Sequence, residues 1–581
     1  MRYLVILAAA VFVACVGAQP ASTIRPAIAP QQSVHHPVYS KTGMVASQEM
    51  TASRIGARIL AEGGNAIDAA VATAFALAVV LPRAGNIGGG GFMLYYDAES
   101  GESIAIDYRE IAPLTAHRDM FLDAEGNADP VVSRFSHKSA GIPGTVAGLW
   151  LAHQEHGRLP WKRLVQPAVD LAREGYILPK GSADLLVEYK ERLCKFQTTC
   201  EYFFKEGGEP YDFGDRFVQA DLAHTLQLIA DNGPDPFYRG EIADKIVAEM
   251  QAHGGLIDKA SLAAYEAVLR EPMRGHYRGY EIVSMPPPSS GGVHILQILN
   301  ILEHFPVAEM EWGSADQIHL LAEVMRLAFA DRSKHLGDPD FYPVPVDWLV
   351  SEDYAAELAA SIDMTKARPS SDVSPGVAPP DESPDTTHFG IIDTEGNVVS
   401  NTYTLNLNFG SGVSVAGAGF LLNNEMDDFV SKPGVPNAYG LLGDEANAVE
   451  ARKRPLSSMS PVIVFDDGEP WFATGSPGGP RIISTMVQMI VNIIDHGMNI
   501  AEATHRPRMH HQWYPDVLLL ERGYSPDTRR LLEARGHKVV TPNSIWTSAQ
   551  SVAFRDGLYQ GAADPRRQHA GSAAPETVNA D

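Results

Sequence analysis

Residues 385–393, Asp385-Thr386-Thr387-His388-Phe389-Gly390-Ile391-Ile392-Asp393, run from a polar stretch straight into a strand that opens on Thr-Thr. Residues 398–406, Val398-Val399-Ser400-Asn401-Thr402-Tyr403-Thr404-Leu405-Asn406, alternate as a second strand. Glu395-Gly396 between them is a tight-turn dipeptide, so the two segments read as an antiparallel hairpin. A turn centred there sets Thr404 about opposite Thr386. Strand side chains have period two, so Thr402, Thr404 and Asn406 share one face. The hairpin thus predicts a threonine at the head of one strand with polar partners across from it. The competing reading is an exposed, Thr-rich hairpin.

The surroundings of this hairpin give the organisation. Upstream, residues 367–385 are rich in Pro, Ser and Asp and hold no aromatic residue, the composition of a loop or linker. Residues 386–422 read as β-rich. Further out, helix and strand alternate. Residues 53–81 read as helix, and the apolar part from 69 to 81 as a buried core helix too short to span a membrane. Residues 92–96 and 104–108 read as strands, 142–265 as mostly helical, 280–284 as a strand, and 293 onward as a helix. Residues 461–474 read as two short strands and 481–494 as a helix. Residues 19–38 read as a mobile leader and residues from about 566 as a disordered polar tail. There is no internal repeat, and the class is α/β.

Four further segments hold side chains that can do chemistry. Gly475-Ser476-Pro477-Gly478-Gly479-Pro480-Arg481 lies between a strand and a helix. Glycines there let backbone approach a ligand, and the unpaired N–H groups of a helix start suit an oxyanion. A plain glycine-rich connection is the alternative. Leu421-Leu422-Asn423-Asn424-Glu425-Met426-Asp427-Asp428-Phe429 ends an apolar strand in amides and carboxylates, fit for an ammonium or a metal, or simply for solvent. Pro455-Leu456-Ser457-Ser458-Met459-Ser460-Pro461 offers hydroxyls to a carboxylate. In Asp107-Tyr108-Arg109-Glu110, Arg109 is able to pair bidentately with a carboxylate or to sit in a surface ion pair.

Other signals exclude functions. Gly85 to Gly91 follows a helix and precedes a strand, the reverse of a dinucleotide or phosphate loop, and reads as a helix-to-strand turn. G-x-S-x-G and S-x-x-K are absent. His505, His510 and His511 lack the spacing of a metal motif, and no metal or cofactor is expected. Among 581 residues, 71 acidic and 46 basic side chains give a net charge of -25 without a basic run, which argues against a nucleic-acid partner.

Residues 1–18 have a positive start, an apolar core and a small-residue cleavage pattern, the features of a secretory signal peptide. Lipid attachment at Cys15 is the weaker alternative. The expected location is periplasmic or secreted. Export permits a disulfide between Cys194 and Cys200; two free thiols are the alternative.

Taken in order, D-T-T-H-F at 385–389, T-Y-T-L-N at 402–406, L-L-N-N-E-M-D-D-F at 421–429, P-L-S-S-M-S-P at 455–461 and G-S-P-G-G at 475–479 resemble the γ-glutamyltranspeptidase family. G-G-N-A-I-D-A-A at 63–70, D-Y-R-E at 107–110 and P-P-P-S-S-G-G at 286–292 extend the resemblance to the first half. The resemblance implies a four-layer αββα sandwich of the N-terminal-nucleophile hydrolase type. It implies autocleavage between Asp385 and Thr386 into a large subunit, 19–385, and a small one, 386–581, that stay together as a heterodimer. Thr386 is then the nucleophile and Thr404 its hydrogen-bond partner. Arg109, Ser457 and Ser458 hold the substrate α-carboxylate, and Asn406, Glu425 and Asp428 hold the α-ammonium. Gly478 and Gly479 form the oxyanion hole, and residues 432–443 a lid with Tyr439 as its covering side chain. The implied substrates are glutathione and related γ-glutamyl compounds, with water, amino acids or dipeptides as acceptors. Two alternatives stand beside this reading: a glutaryl or adipyl β-lactam side-chain acylase of the same fold, and an unprocessed γ-glutamyl binding protein.

Overall fold

The computed structural model describes residues 33–373, 386–544 and 546–577. The signal peptide, Cys15, most of the leader, and residues 374–385 with Asp385 lie outside these. The hairpin forms as strands Thr387–Ile392 and Val398–Thr404, with Thr387 opposite Tyr403. One step further back, Thr386 meets Thr404. The connection is a five-residue loop, longer than a dipeptide turn, because Asp393 closes it: its carboxylate accepts from the backbone N–H groups of Glu395 and Asn397 at 2.9 and 3.0 Å.

The hairpin sits centrally in a seven-stranded antiparallel sheet. Its order is Gly571–Ala573, Met44–Ser47, Thr387–Ile392, Val398–Thr404, Gly90–Asp97, Glu102–Tyr108 and Val268–Arg270. A second antiparallel sheet of seven runs Val38–Ser40, Leu558–Ala563, Gln550–Arg555, Glu469–Gly475, Val462–Asp466, Tyr280–Ser284 and Met273–Tyr277. The sheets stack face to face, and Ser400 Oγ on one donates to the Thr474 carbonyl on the other at 3.3 Å.

Period-two alternation then feeds two separate cores. Phe92, Leu94 and Tyr96 point between the sheets and toward the helices Gly291–Leu302, Ala315–His335 and Arg481–Ile494. Met93 and Tyr95 point the other way, into a core shared with helix Ala66–Val80 and the helices between 145 and 253. Helix Ala66–Val80 is buried at every position, as its composition predicts, and its Ala74 carbonyl accepts from Tyr403 Oη at 2.9 Å. The layer order is αββα. Among the described residues no helix is long and apolar enough to cross a membrane.

The structure corrects several expectations. The single helix over 53–81 is two, Met50–Ala61 and Ala66–Val80. Gly63 at φ 92 breaks the first, and Asn65 with Asp68 forms a capping box that starts the second. The β-rich stretch to 422 stops at Thr404, where Asn406 (φ 76) and Phe409 (φ 59) turn the chain out of the sheet. The start of the proposed linker is docked: Ser370 is fully buried, donates to the Trp513 carbonyl at 2.6 Å and accepts from Arg326 Nε at 3.2 Å. The end of the leader is held too, since Asn499 Nδ2 donates to Ser33 Oγ at 3.2 Å and Val38–Ser40 is an edge strand. The Cys194–Cys200 disulfide, by contrast, is formed as expected.

The polar tail is the largest departure. Gly571–Ala573 pairs with Met44–Ser47 as a strand. Just before it, Arg566 reaches Glu521 at 2.6 Å and Asp564 at 3.1 Å, and Arg508 reaches the same buried Asp564 at 2.7 Å. Composition reads these charges as solvated; pairing lets them be buried. Arg566→Ala leaves two carboxylates short of a partner and is expected to destabilise the fold by about 3 kcal/mol. A denaturant midpoint that does not move would remove the tail from the stabilising framework.

Candidate active site

Thr386 is 3% exposed and stands at the head of a central strand. Thr404 Oγ1 donates to Thr386 Oγ1 at 3.4 Å, and accepts from the Asn406 backbone N–H at 2.8 Å. Asn406 therefore reaches the site through a left-handed turn, not through strand alternation; asparagine tolerates that conformation better than most residues. Thr402 does alternate with Thr404, but its hydroxyl is taken by His388 Nδ1 at 2.9 Å. Burial pulls the His388 pKa down to about 3, so this imidazole is neutral.

Strand Glu469–Gly475 ends and helix Arg481–Ile494 begins on either side of the glycine pair, as the sequence predicts. Gly478 (φ 138) and Gly479 (φ 54) hold conformations that side chains disfavour. A Cβ on Gly479 would lie 2.5 Å from the Tyr439 ring. Gly479 lines the same cavity as Thr386; Gly478 stands one residue away from that lining.

Arg109 is not at the surface: it is fully buried. Its Nε donates to the Pro455 carbonyl at 3.1 Å. One terminal nitrogen pairs with Glu425, the other with Asp428 at 2.6 Å, and Glu110 stands 3.6 Å away. Burial works against the Arg109 charge, but Glu425 and Asp428 outweigh it and keep the guanidinium protonated. Burial pushes both Glu425 and Asp428 above the usual carboxylate range, with Arg109 opposing. Glu110 is pushed to about 7 by the same cause.

The cavity these groups enclose is divided by hydrogen-bonding sense. On one side, Asn406 Oδ1 and Glu425 Oε2 are buried acceptors with no donor among the described residues. Asn406 is oriented this way because its Nδ2 is spent on the Asn424 carbonyl at 3.0 Å. On the other side, Ser457 Oγ accepts from the Met459 N–H and Ser458 Oγ accepts from Arg332 Nη2, each at 3.1 Å. Neither hydroxyl has an acceptor among the described residues, so both protons are available to an anion. The serine loop is positioned by the triple-proline segment, where the Ser290 N–H and Oγ both donate to the Ser457 carbonyl, at 2.7 and 2.8 Å.

Tyr439 closes the cavity. Its hydroxyl donates to the Asn406 carbonyl at 2.7 Å, and Gln512 Nε2 donates to its carbonyl at 3.1 Å. Asp427 holds the same loop through the Ala438 N–H at 2.7 Å. About 20 Å³ remains free inside, room for one water.

Every predicted catalytic or substrate-binding residue lines this cavity except Gly478. Sequence reasoning missed Arg332, Glu110 as a buried neighbour of Arg109, and Asp427 and Gln512 as anchors of the loop. Glu110 and Asp427 lay inside quoted motifs; Arg332 and Gln512 carried no signal beyond their residue type. The histidines set aside as metal ligands are engaged in hydrogen bonds: His510 with Ser484 Oγ and Gln512, each at 2.8 Å, and His511 with Asp516 at 3.2 Å.

The family described as Gamma-glutamyltranspeptidase matches residues 52–574. The glutathione hydrolase proenzyme of Escherichia coli K12 is 54% identical over 537 residues, covering 92% of each chain. The acylase ACY 1 proenzyme of Pseudomonas sp. SE83 is 39% identical over 536 residues, covering 91% of this chain and 92% of its own. Among solved structures, a cephalosporin acylase from Bacillus halodurans superimposes with a TM-score of 0.82 at 28% identity, over 94% of this chain and 98% of its own. The family match over residues 52–574 and the 54% identical relative show that the chain belongs to the γ-glutamyltranspeptidase family.

Proposed function

We propose that this protein is an autoprocessing γ-glutamyltransferase and glutathione hydrolase with Thr386 as its nucleophile. The observation that carries the substrate class is the divided cavity: bare acceptors on one side, serine O–H donors and guanidinium charge on the other. An α-amino acid head group, with its ammonium and carboxylate on one carbon, satisfies both halves at once. Leaving either half unpaired costs a buried polar group its partner, which is how such a site rejects analogues.

Maturation begins with Thr386 Oγ attacking the carbonyl carbon of residue 385. The acyl group moves from nitrogen to oxygen, and water cleaves the ester. This leaves a carboxylate on Asp385 and a free α-amine on Thr386. An α-amine titrates near about 7.7, so near neutrality a useful fraction can accept the Thr386 hydroxyl proton. Thr404 Oγ1, donating to Thr386 Oγ1, holds the nucleophile in place. Attack on the γ-amide carbonyl forms the ester bond, and the amine returns the proton to the departing nitrogen. N–H groups of Gly478 and Gly479 face the oxyanion. Water then releases glutamate, or an amino acid or dipeptide amine takes the γ-glutamyl group. Asn406, Glu425 and Asp428 receive the ammonium; Arg109, Ser457 and Ser458 receive the carboxylate. The two cleavage products remain one heterodimer, exported by way of residues 1–18.

Intact mass under denaturing conditions is expected to give two chains, the smaller starting at Thr386, and Thr386→Ala is expected to give one inactive chain. A wild-type protein that stays whole would favour the binding-protein reading, and normal processing of Thr386→Ala would mean another nucleophile.

A glutaryl anilide lacks the ammonium and would leave Asn406 Oδ1 and Glu425 Oε2 bare, so it is expected to react at least about 100-fold more slowly than a γ-glutamyl anilide. Equal rates would favour the acylase reading, which the likeness to acylases makes the relevant rival.

The acid limb of the KM profile tests the electrostatics. Glu110, pushed to about 7 by burial, gains a proton as the pH falls through that value, and the ammonium side loses negative charge. KM is expected to rise on acidification below about 7, and Glu110→Gln to flatten that rise. An identical profile in the variant would assign the limb to another group.

A further inference from the structure

Arg332 lies in the helix Ala315–His335 and is buried, yet it lines the cavity that holds Thr386. Its Nε donates to Ser290 Oγ at 2.9 Å and its Nη2 to Ser458 Oγ at 3.1 Å. No carboxylate lies within ion-pair distance of it among the described residues. Arg109 presents the opposite case, with Glu425, Asp428 and Glu110 all against it. A guanidinium out of water with no carboxylate in contact is costly: burial lowers the Arg332 pKa to about 10, with the more distant Asp428 pulling the other way. Asp428 offsets part of that cost from a distance, and an anion entering the cavity would offset more.

Both terminal nitrogens of Arg109 are taken by Glu425 and Asp428, so an incoming carboxylate would find little of its positive charge free. A second cation corrects this on the side where the serine hydroxyls already donate. Arg332 also sets the sense of that hydrogen bond: Ser458 Oγ accepts from it and therefore turns its own proton toward the cavity.

We propose that Arg332 is the second cation of the α-carboxylate subsite, supplying the charge that Arg109 spends on Glu425 and Asp428 and orienting the Ser458 hydroxyl toward the substrate. The proposal rests on the γ-glutamyl reading of the site. Arg332 provides affinity for the free carboxylate of the head group and takes no part in proton transfer at Thr386.

The test compares wild type, Arg332→Lys and Arg332→Met on two anilides, γ-glutamyl and 4-aminobutyryl; the second keeps the amine and lacks the α-carboxylate. In wild type the γ-glutamyl compound is expected to be far the better substrate. Arg332→Met is expected to raise its KM by about 30-fold or more, the scale for removing one partner of a buried charge pair, with kcat changed less and the 4-aminobutyryl KM little changed. Arg332→Lys keeps the charge without the fork and is expected to fall between. Thermal melts and the two-chain pattern on a denaturing gel identify variants that are folded and processed. If Arg332→Met fails either check, Arg332→Lys carries the comparison. Equal losses on both anilides in a folded, processed variant, or an unchanged γ-glutamyl KM, would overturn the proposal. A wild type indifferent to the α-carboxylate would instead overturn the γ-glutamyl reading and this inference with it.

Discussion

A guanidinium buried at the centre of the molecule has to be met by anions, and much of the site is arranged around that requirement. Arg109 lies at the end of strand Glu102–Tyr108, in the first half of the chain. Its partners Glu425 and Asp428, and the carbonyl it contacts at Pro455, come from the second half. A single buried charge therefore fixes three segments, 107–110, 425–428 and 455–458, in one register beside Thr386. Beside it, Glu425 Oε2 and Asn406 Oδ1 are left as buried acceptors with no donor among the described residues. The group that stabilises the fold thus also sets the polarity of the cavity.

Much of this was legible in the chain. Strand alternation and the Glu395-Gly396 dipeptide place Thr404 only approximately opposite Thr386; the exact register is set by the five-residue loop that Asp393 closes. Glycines between a strand and a helix locate the Gly478-Gly479 turn in the same way. What was illegible depends on burial, which composition does not report. Arg332, near the end of the helix Ala315–His335, reads as a basic residue suited to a helix C-terminus, and only packing turns it into a cavity wall. Arg566 and Asp564 read as solvated tail and prove to be an ion-pair network. Asn406 was placed in the site by an alternation that stops two residues too soon; a left-handed turn takes it there instead.

The glycine pair and the covering loop are matched by shape. The Tyr439 ring occupies the space a side chain on Gly479 would need, so the absence of a Cβ serves the roof as well as the backbone N–H groups below it. Hydrogen bonds from three separate elements, at Asn406, Gln512 and Asp427, tie the loop down. The two neutral ties are each worth about 1 kcal/mol net, and the one accepted by the Asp427 carboxylate about twice that.

Strands from the two sides of Thr386 are interleaved. In one sheet, Met44–Ser47 is flanked by Gly571–Ala573 and Thr387–Ile392; in the other, four strands from the second half lie between Val38–Ser40 and Tyr280–Ser284. A nick before Thr386 would therefore change connectivity without creating separable parts. Pulling the pieces apart would open several strand seams and both cores together, which is unfolding in all but name. Such a molecule would not exchange fragments with its siblings. Each pair would descend from one translated chain, and its pedigree would last as long as its fold.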